Sequence, residues 1–385
     1  MSGETRVPAR VRDAGESQPR RDRDYDRRVS DLRTVAVPLL TLVPGRLGGS
    51  ETYVRELLRG LGRVGAHEYR VVLPPIARDR AEGLPSDIAT EYRSSASTPG
   101  RLLAIGLALS RQGALRRHVA GADVVHFPLT IELPRTELPT VVTLHDLQHL
   151  DLPELFPRAE RAFRRVAWHT SLRRATRVLA VSGFARDRAV ARLGLDPSRI
   201  DVVPLGVDHD RLRPGTVERE PFLLYPARPW KHKNHERLFA AFALVRRERP
   251  QLRLVLTGGG GFRRLPDGVE WRGQVGTDEL VSLLQRATAL VFPSLYEGFG
   301  LPPLEAMACG CPVASSNAAA LPEVVGDAAL LFDPRDPRAI ARAVLELLED
   351  SEPWVERGIA RAARFSWDRT ARETDAVYTS LSTRP

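Results

Sequence analysis

Ser294-Leu-Tyr-Glu-Gly-Phe-Gly-Leu-Pro-Pro-Leu-Glu-Ala-Met-Ala-Cys-Gly-Cys-Pro312 is the most informative stretch of the 385-residue chain. The apolar run before it, Leu290–Pro293, reads as a buried strand that stops at Pro293. A loop with Gly298 and Gly300 follows, and a helix begins near Pro302-Pro303, where a missing N–H costs nothing. Strand, glycine loop and helix in that order make one α/β unit. Glycine lets a ligand approach the backbone, and the free amides at a helix start suit a phosphate. Glu297 sits at the strand tip, able to accept hydrogen bonds from hydroxyls, and Glu305 follows eight residues later, one turn into the helix. That separation suits a long ligand with hydroxyls at both ends. It equally fits a plain loop with an acid near a helix start.

The same unit recurs along the chain. Thr34-Val-Ala-Val-Pro-Leu-Leu40 is a short apolar run, followed by the loop Pro44-Gly-Arg-Leu-Gly-Gly-Ser50 and a helical pattern of Tyr53, Leu57, Leu58 and Leu61. Further strands are predicted at Tyr69–Leu73, Val124–Phe127, Thr140–Leu144 and Val178–Val181. The alternation restarts after Val202-Val-Pro-Leu-Gly-Val207, with strands at Phe222–Tyr225, Arg253–Thr257, Val269–Trp271, Leu290–Pro293 and Pro312–Ala314. Near-continuous apolar strands between helices imply parallel sheets covered on both faces. The expected fold class is α/β, with two Rossmann-like, doubly wound parallel-sheet domains, 34–206 and 207–365, facing across a cleft. A last helix over Ser366–Leu381 opens a C-terminal segment, 366–385. Residues 1–33 hold nine Arg against seven acids with few large apolar side chains, which predicts a disordered tail.

Composition narrows the function classes. The chain is 43% hydrophobic and 27% charged, the profile of a globular protein, and it is long enough for two cores at about 100–200 residues each. No run reaches the roughly 18 apolar residues of a membrane span, and the N-terminal residues lack the apolar segment of a secretory signal. Cys309 and Cys311 sit too close for an unstrained disulfide, so a reduced, cytoplasmic setting is expected. The net charge of +9, nearly all of it arginine, favours anionic partners without choosing among them.

Two acids with seven residues between them, in the setting Glu297-Gly-Phe-Gly-Leu-Pro-Pro-Leu-Glu-Ala-Met-Ala-Cys-Gly310, resemble the retaining glycosyltransferases of family 4, which have the GT-B fold. Further segments match in the expected order: Gly48-Gly49-Ser50-Glu51, Thr143-Leu-His-Asp146, Val181-Ser-Gly-Phe184, Val203-Pro-Leu-Gly-Val-Asp208, and Arg228 with Lys233-Asn234. The resemblance covers nearly the whole chain after about residue 33 and implies a role for each residue. The Gly48-Gly49 loop would approach the donor phosphate from the N-terminal acceptor domain. Arg228 and Lys233 would clamp the diphosphate and stabilise charge on the leaving nucleotide. Glu297 would hold sugar hydroxyls, the amides of Phe299, Gly300 and Leu301 would support sugar and phosphate, and Glu305 would bind the ribose. His145 would orient the donor sugar near its anomeric carbon. The C-terminal helix would pack back on the first domain.

Taken alone, several of these residues have plainer readings. His145 ends an apolar strand and fits a satisfied histidine beside an Asp146 cap. Arg228 and Lys233 fit a basic surface loop. Thr257-Gly-Gly-Gly-Gly261 looks like half a dinucleotide fingerprint but lacks the following acid. Asp22-Arg-Asp24 and Asp208-His-Asp210 have the form of a glycosyltransferase metal motif, the first in the tail and the second after a domain-closing strand. No catalytic metal and no cofactor are expected. Pro157–Arg177 carries seven Arg against one Glu, with Phe163, Val166 and Trp168 between them; it suits either a solvated helix face or a seat on anionic membrane. Arg101–Ala120 reads as a Leu-rich core helix. His145-Asp-Leu-Gln-His149 resembles mannosyltransferases that build bacterial surface polysaccharides, which favours GDP-mannose over UDP-sugars.

The resemblance thus implies a metal-independent, retaining transfer of a hexose, mannose favoured, from a nucleotide diphosphate sugar to a saccharide or lipid-linked acceptor. It implies a cytoplasmic enzyme, peripheral on the inner face of the membrane if it docks there, with no nucleic-acid partner. The alternatives are a nucleotide-sugar epimerase or NAD-dependent oxidoreductase on a related fold, and a non-catalytic binder of sugar nucleotides or nucleic acid.

Overall fold

The computed structural model describes residues 32–95, 98–110 and 112–381, and in it the apolar runs become two parallel sheets. The first sheet contains β1 (Thr34–Pro38), β2 (Glu68–Leu73), β3 (Ser86–Ile88), β4 (Val124–Phe127), β5 (Thr140–Leu144), β6 (Arg177–Ala180) and β7 (Ile200–Val202). Its strand order is β3-β2-β1-β4-β5-β6-β7. The second contains β8 (Glu220–Pro226), β9 (Arg253–Thr257), β10 (Val269–Trp271), β11 (Ala287–Phe292), β12 (Val313–Ser316) and β13 (Leu330–Phe332), ordered β10-β9-β8-β11-β12-β13. All pairings between these strands are parallel. Each sheet winds outward from its first strand and then restarts on the other side of it. A crevice therefore opens beyond the strand ends between β1 and β4, and another between β8 and β11.

The central strands formed where predicted because helices bury both their faces; every residue of β4 and β5 is buried. The sequence reading had no β3 or β13. Both are three-residue edge strands: β3, Ser-Asp-Ile, shows no apolar run, whereas β13, Leu-Leu-Phe, is apolar but short and buries only Phe332. The described residues of Arg101–Ala120 are helical over Thr98–Ser110 and Gln112–Arg116 and end in a 3-10 turn. Ile105, Ala108 and Leu115 are buried there, but Leu103 and Leu107 are 65% and 49% exposed.

The C-terminal helix, Trp367–Ser380, lies against the helix Gly49–Val64 that follows β1. The two approach so closely that a Cβ on Gly60 would stand 2.8 Å from the Ala371 Cβ. Gly206 has the same purpose where the chain crosses between sheets: a Cβ there would lie 2.2 Å from the Ser366 carbonyl carbon. Arg63 pairs with Asp368 at 2.6 Å, the Thr370 hydroxyl donates to the Pro204 carbonyl at 2.7 Å, and the Tyr378 hydroxyl bonds His126 Nδ1 at 2.6 Å. From Arg33 onward the two sheets and this helix form one compact unit. Residues 1–31 of the charged segment, with Asp22-Arg-Asp24, lie outside the described residues, as do 382–385.

Candidate active site

Adjacent strands β8 and β11 deliver the charged groups of the second crevice. Lys233 follows β8, Glu297 follows β11, and Lys233 Nζ donates to Glu297 Oε1 at 2.6 Å with both side chains largely buried. Local sequence explains the meeting. A 3-10 turn over Lys231–Lys233 ends on Asn234 at φ 63°, and the Asn234 amide donates to the carbonyls of Pro293 (3.0 Å) and Pro334 (2.7 Å). The Tyr225 hydroxyl donates to the Lys233 carbonyl at 2.7 Å, and the Leu295 amide to the His232 carbonyl at 2.8 Å. These bonds fasten the lysine loop to the glutamate loop. Burial, helped by the Lys233 charge, lowers His232 to about 4, so it stays neutral beside the pair.

Arg228 leaves the same strand and reaches the other domain, where its Nη2 donates to the Gly45 carbonyl at 2.8 Å. Gly45 is itself fixed by Glu51, whose two oxygens accept from its amide at 2.8 and 3.0 Å. Gly48, at φ 59°, then starts the helix from Gly49. A cavity of about 470 Å³ opens here, lined by Gly45, Arg46, Arg228, Trp230, Gly259 and Gln274 among others. The Gly258–Gly261 run packs beneath the Arg228 loop: a Cβ on Gly258 would lie 2.9 Å from the Ala227 carbonyl carbon, and one on Gly260 2.8 Å from Pro229. Close backbone approach is thus the use of that glycine run.

Gly300, at φ 120°, starts the helix Leu301–Ala308, and Pro302 and Pro303 fill its first turn. A Cβ on Gly300 would meet Leu321 at 2.7 Å, and the Phe299 ring is set edge-on to Phe365, 6.0 Å between centroids. The amides of Phe299, Gly300 and Leu301 are thereby fixed at the helix start. Glu305, further along, is half-buried, and no described residue forms a hydrogen bond or ion pair with its carboxylate. Burial raises it to about 7, against the opposing pull of Arg55.

His145 follows β5 on the facing domain. Its Nε2 donates to the Pro128 carbonyl at 2.8 Å, its ring stands edge-on to Tyr53 at 5.0 Å, and burial holds it below its ordinary pKa. Gly298 presses on its backbone so closely that a Cβ would lie 1.9 Å from the His145 carbonyl oxygen. The Glu297 loop and the His145 loop are therefore in contact across the cleft. Asp146 Oδ1 accepts from the Gln148 amide at 3.0 Å, a local turn one residue before Leu147, which is the N-cap of the short helix Gln148–Asp151.

Glu323 and Tyr296, which sequence reasoning did not single out, help hold the cleft together, as does Ser182 of the Val181–Phe184 segment. Glu323 accepts from the amides of Gly183 (2.8 Å) and Phe184 (3.0 Å) at a helix start in the other domain. The Ser182 hydroxyl donates to the Gly298 carbonyl at 2.7 Å, and the Tyr296 hydroxyl to Asp151 at 3.0 Å. One unused signal pointed at the Lys231–Lys233 loop: Lys231 and Lys233 are the only lysines in a chain with 57 basic residues. Asp208 of the Asp-His-Asp triplet spends Oδ1 on the amides of Asp210 and Arg211, at 3.2 and 3.3 Å. Among the described residues no cluster of three or more His, Cys, Asp or Glu is gathered as for a metal ion. Cys309 and Cys311 are free and buried, and burial pushes both thiols up to about 12.

Two family models match the chain: Glycosyltransferase Family 4 over residues 47–211, and Glycosyl transferases group 1 over residues 208–364. O-antigen chain mannosyltransferase B of Escherichia coli is 33% identical over 331 residues, 75% of this chain and 85% of the relative. MMP alpha-(1->4)-mannosyltransferase of Mycolicibacterium hassiacum is 38% identical over 221 residues, 52% of this chain and 53% of the relative. Among solved structures, sucrose-phosphate synthase from Thermosynechococcus elongatus matches with a TM-score of 0.74 at 22% identity, over 90% of this chain and 98% of that one.

Proposed function

The chain belongs to the group 1, family 4 glycosyltransferases of GT-B fold, and from that premise we propose that it transfers mannose from GDP-mannose with retention and without a metal. The acceptor in this reading is a saccharide or a lipid-linked saccharide. The observation that carries it is the Lys233–Glu297 pair, held at the crevice between β8 and β11 with Arg228 beside it. In an α/β sheet that crevice is where a ligand binds.

Each residue then has a task. Lys233 and Arg228 bind the diphosphate and offset the charge that grows on it as it leaves, the service a metal performs in other glycosyltransferases. Glu297, released from Lys233 as the phosphate takes its place, accepts from sugar hydroxyls. Glu305 accepts from the ribose, and the amides of Phe299, Gly300 and Leu301 support sugar and phosphate. Since His145 Nε2 donates to Pro128, its Nδ1 is left to accept from a hydroxyl of the donor sugar. The acceptor hydroxyl attacks the anomeric carbon from the face the diphosphate leaves. As the new C–O bond forms the sugar–phosphate bond breaks, and the departing phosphate oxygen takes the acceptor's proton.

The names of the two relatives support mannose, and the first supports a surface-polysaccharide acceptor. A cytoplasmic site, peripheral on the inner face of the membrane, is part of the same reading. It is supported by exposed Arg158, Arg165 and Val166 on the helix Arg158–Arg174, and by exposed Leu103 and Leu107. No helix among the described residues is long and apolar enough to cross a membrane. Nothing in the proposed chemistry calls for nucleic acid.

The test is calorimetric titration with GDP, UDP, ADP and dTDP in EDTA, followed by turnover of GDP-mannose with the anomeric configuration read by NMR. GDP binding tightest and an α-linked product are expected. A preference for another base would overturn the donor, loss of transfer in EDTA would overturn metal independence, and no binding by any nucleotide would overturn the assignment of the cleft.

A further inference from the structure

A second basic site, lined by other residues than the donor crevice, lies between the short helix Gln148–Asp151 that follows β5 and the first turns of the helix Arg158–Arg174. A cavity of about 380 Å³ is lined by His149, Leu150, Pro153, Arg158, Arg161 and Arg165, with Ala162 completing the wall. Among the described residues no carboxylate pairs with Arg158, Arg161 or Arg165. Arg164, in their midst, is by contrast held by Glu160 at 2.7 Å and stacked on Phe156 and Trp168. The Nε of Arg161 and the Nδ1 of His149 are buried without a hydrogen-bond partner. His149 is only 2% exposed, and its Nε2 lies 3.1 Å from His169 Nε2. When His169 donates in that contact, His149 carries its own proton on Nδ1, an unanswered donor. Burial and the neighbouring arginines keep His149 neutral.

Guanidinium groups without counter-ions, an open imidazole donor and a concave wall of Leu150 and Pro153 call for an organic anion. We propose that this cavity is the subsite for a phosphate or diphosphate carried by the acceptor, gripped by Arg158, Arg161 and Arg165 with His149 donating to it. The inference rests on the glycosyltransferase reading of the cleft, since the cavity begins four residues beyond His145 on the same loop. Planar guanidinium forks match phosphate oxygens in pairs. The phosphate has two sources to distinguish, a water-soluble phosphorylated sugar and a polyisoprenyl diphosphate in membrane.

The test uses the full chain with its donor site filled by the tightest-binding nucleoside diphosphate. It is titrated with inorganic pyrophosphate, and separately with phosphatidylcholine vesicles carrying farnesyl diphosphate or phosphatidylglycerol. Wild type is compared with Arg161→Gln/Arg165→Gln, and with Arg158→Gln as a milder exposed variant. Pyrophosphate is expected to bind the filled protein, and the double variant to bind it at least about tenfold more weakly. Thermal midpoints are expected to match. Preference for farnesyl diphosphate vesicles assigns the lipid-linked source, and binding of pyrophosphate without vesicle capture assigns the soluble one. Failure of pyrophosphate to bind, equal binding by the double variant, or capture by phosphatidylglycerol alone would overturn the subsite. Absence of nucleotide binding would instead remove the donor reading, and the pyrophosphate comparison between wild type and variant stands without it.

Discussion

Glu305 offers a trade between stability and binding that can be measured in both directions. Its carboxylate is half-buried without a hydrogen-bond or ion-pair partner among the described residues, and burial raises it to about 7 from the ordinary 4.5. A folded-state pKa raised above the unfolded value means the native state binds the extra proton, so stability falls as pH rises between about 4.5 and 7. At about 1.4 kcal/mol for each tenfold change in proton affinity the full displacement is worth about 3 kcal/mol. Water reaching the half-buried group reduces that to about 1–2 kcal/mol. Glu305→Gln removes the charge at nearly constant volume. The ligand-free variant should therefore melt about 2–6 °C above wild type at pH 8, with the difference shrinking toward pH 5. The same change should weaken nucleoside diphosphate binding at pH 8 by about tenfold or more, because a carboxylate that accepts from two hydroxyls becomes an amide with one acceptor. Scanning calorimetry across pH reads the first effect and isothermal titration the second. A variant less stable than wild type at pH 8, or a difference independent of pH, would refute the reasoning about this carboxylate. Unchanged nucleotide affinity would refute its assignment to the ribose.

Three further outcomes are expected. Lys233→Ala and Glu297→Ala should each lower the transfer rate by at least about a hundredfold in steady-state assays, and wild-type rates in both would dismiss the pair as the donor clamp. Glu323→Ala removes the acceptor for two amides at an exposed helix start and should cost about 1 kcal/mol of closure; small-angle scattering of the ligand-free protein should show a larger radius, and an identical profile would count against Glu323 as a latch. Gly206→Ala should lower the thermal midpoint by at least several degrees, because the new methyl meets the Ser366 and Trp367 backbone at 2.2 Å; an unchanged midpoint would mean that the crossing is not close-packed in solution.

The central strands were legible because a parallel strand buried on both faces has few polar positions to interrupt it, as in Phe222–Tyr225 and Leu290–Phe292. Edge strand β3, Ser-Asp-Ile, lacks that pattern, and β13, Leu-Leu-Phe, has it over only three residues. The Glu297 and Lys233 loops were legible as separate segments, but their meeting, 64 residues apart in sequence, is a product of strand order. Glu323 reads as an ordinary acid early in a short helix, and nothing local says that its partners are Gly183 and Phe184, some 140 residues upstream. The basic segment Pro157–Arg177 was visible as charge, yet only the structure separates Arg164, which is paired and stacked, from Arg161 and Arg165, which have no carboxylate partner among the described residues.

The ligand-free arrangement also bears on how a donor enters. Lys233 is neutralised by Glu297, and Arg228 already spends a donor on the Gly45 carbonyl. A buried ammonium left without a partner would be strongly destabilising, so the glutamate holds the lysine in place in the crevice. In the proposed reading, an arriving diphosphate would replace one anion with another, and the glutamate it displaces would be set free to accept from hydroxyls of the sugar. Binding is then an exchange of partners rather than an addition of contacts. Its net free energy would be smaller than the number of charged groups suggests. The glycine at 298 completes the arrangement: with no side chain it lets the Glu297 loop lie on the His145 backbone, so the positions of Glu297 and His145, the two groups proposed to meet the sugar, are set by one backbone contact.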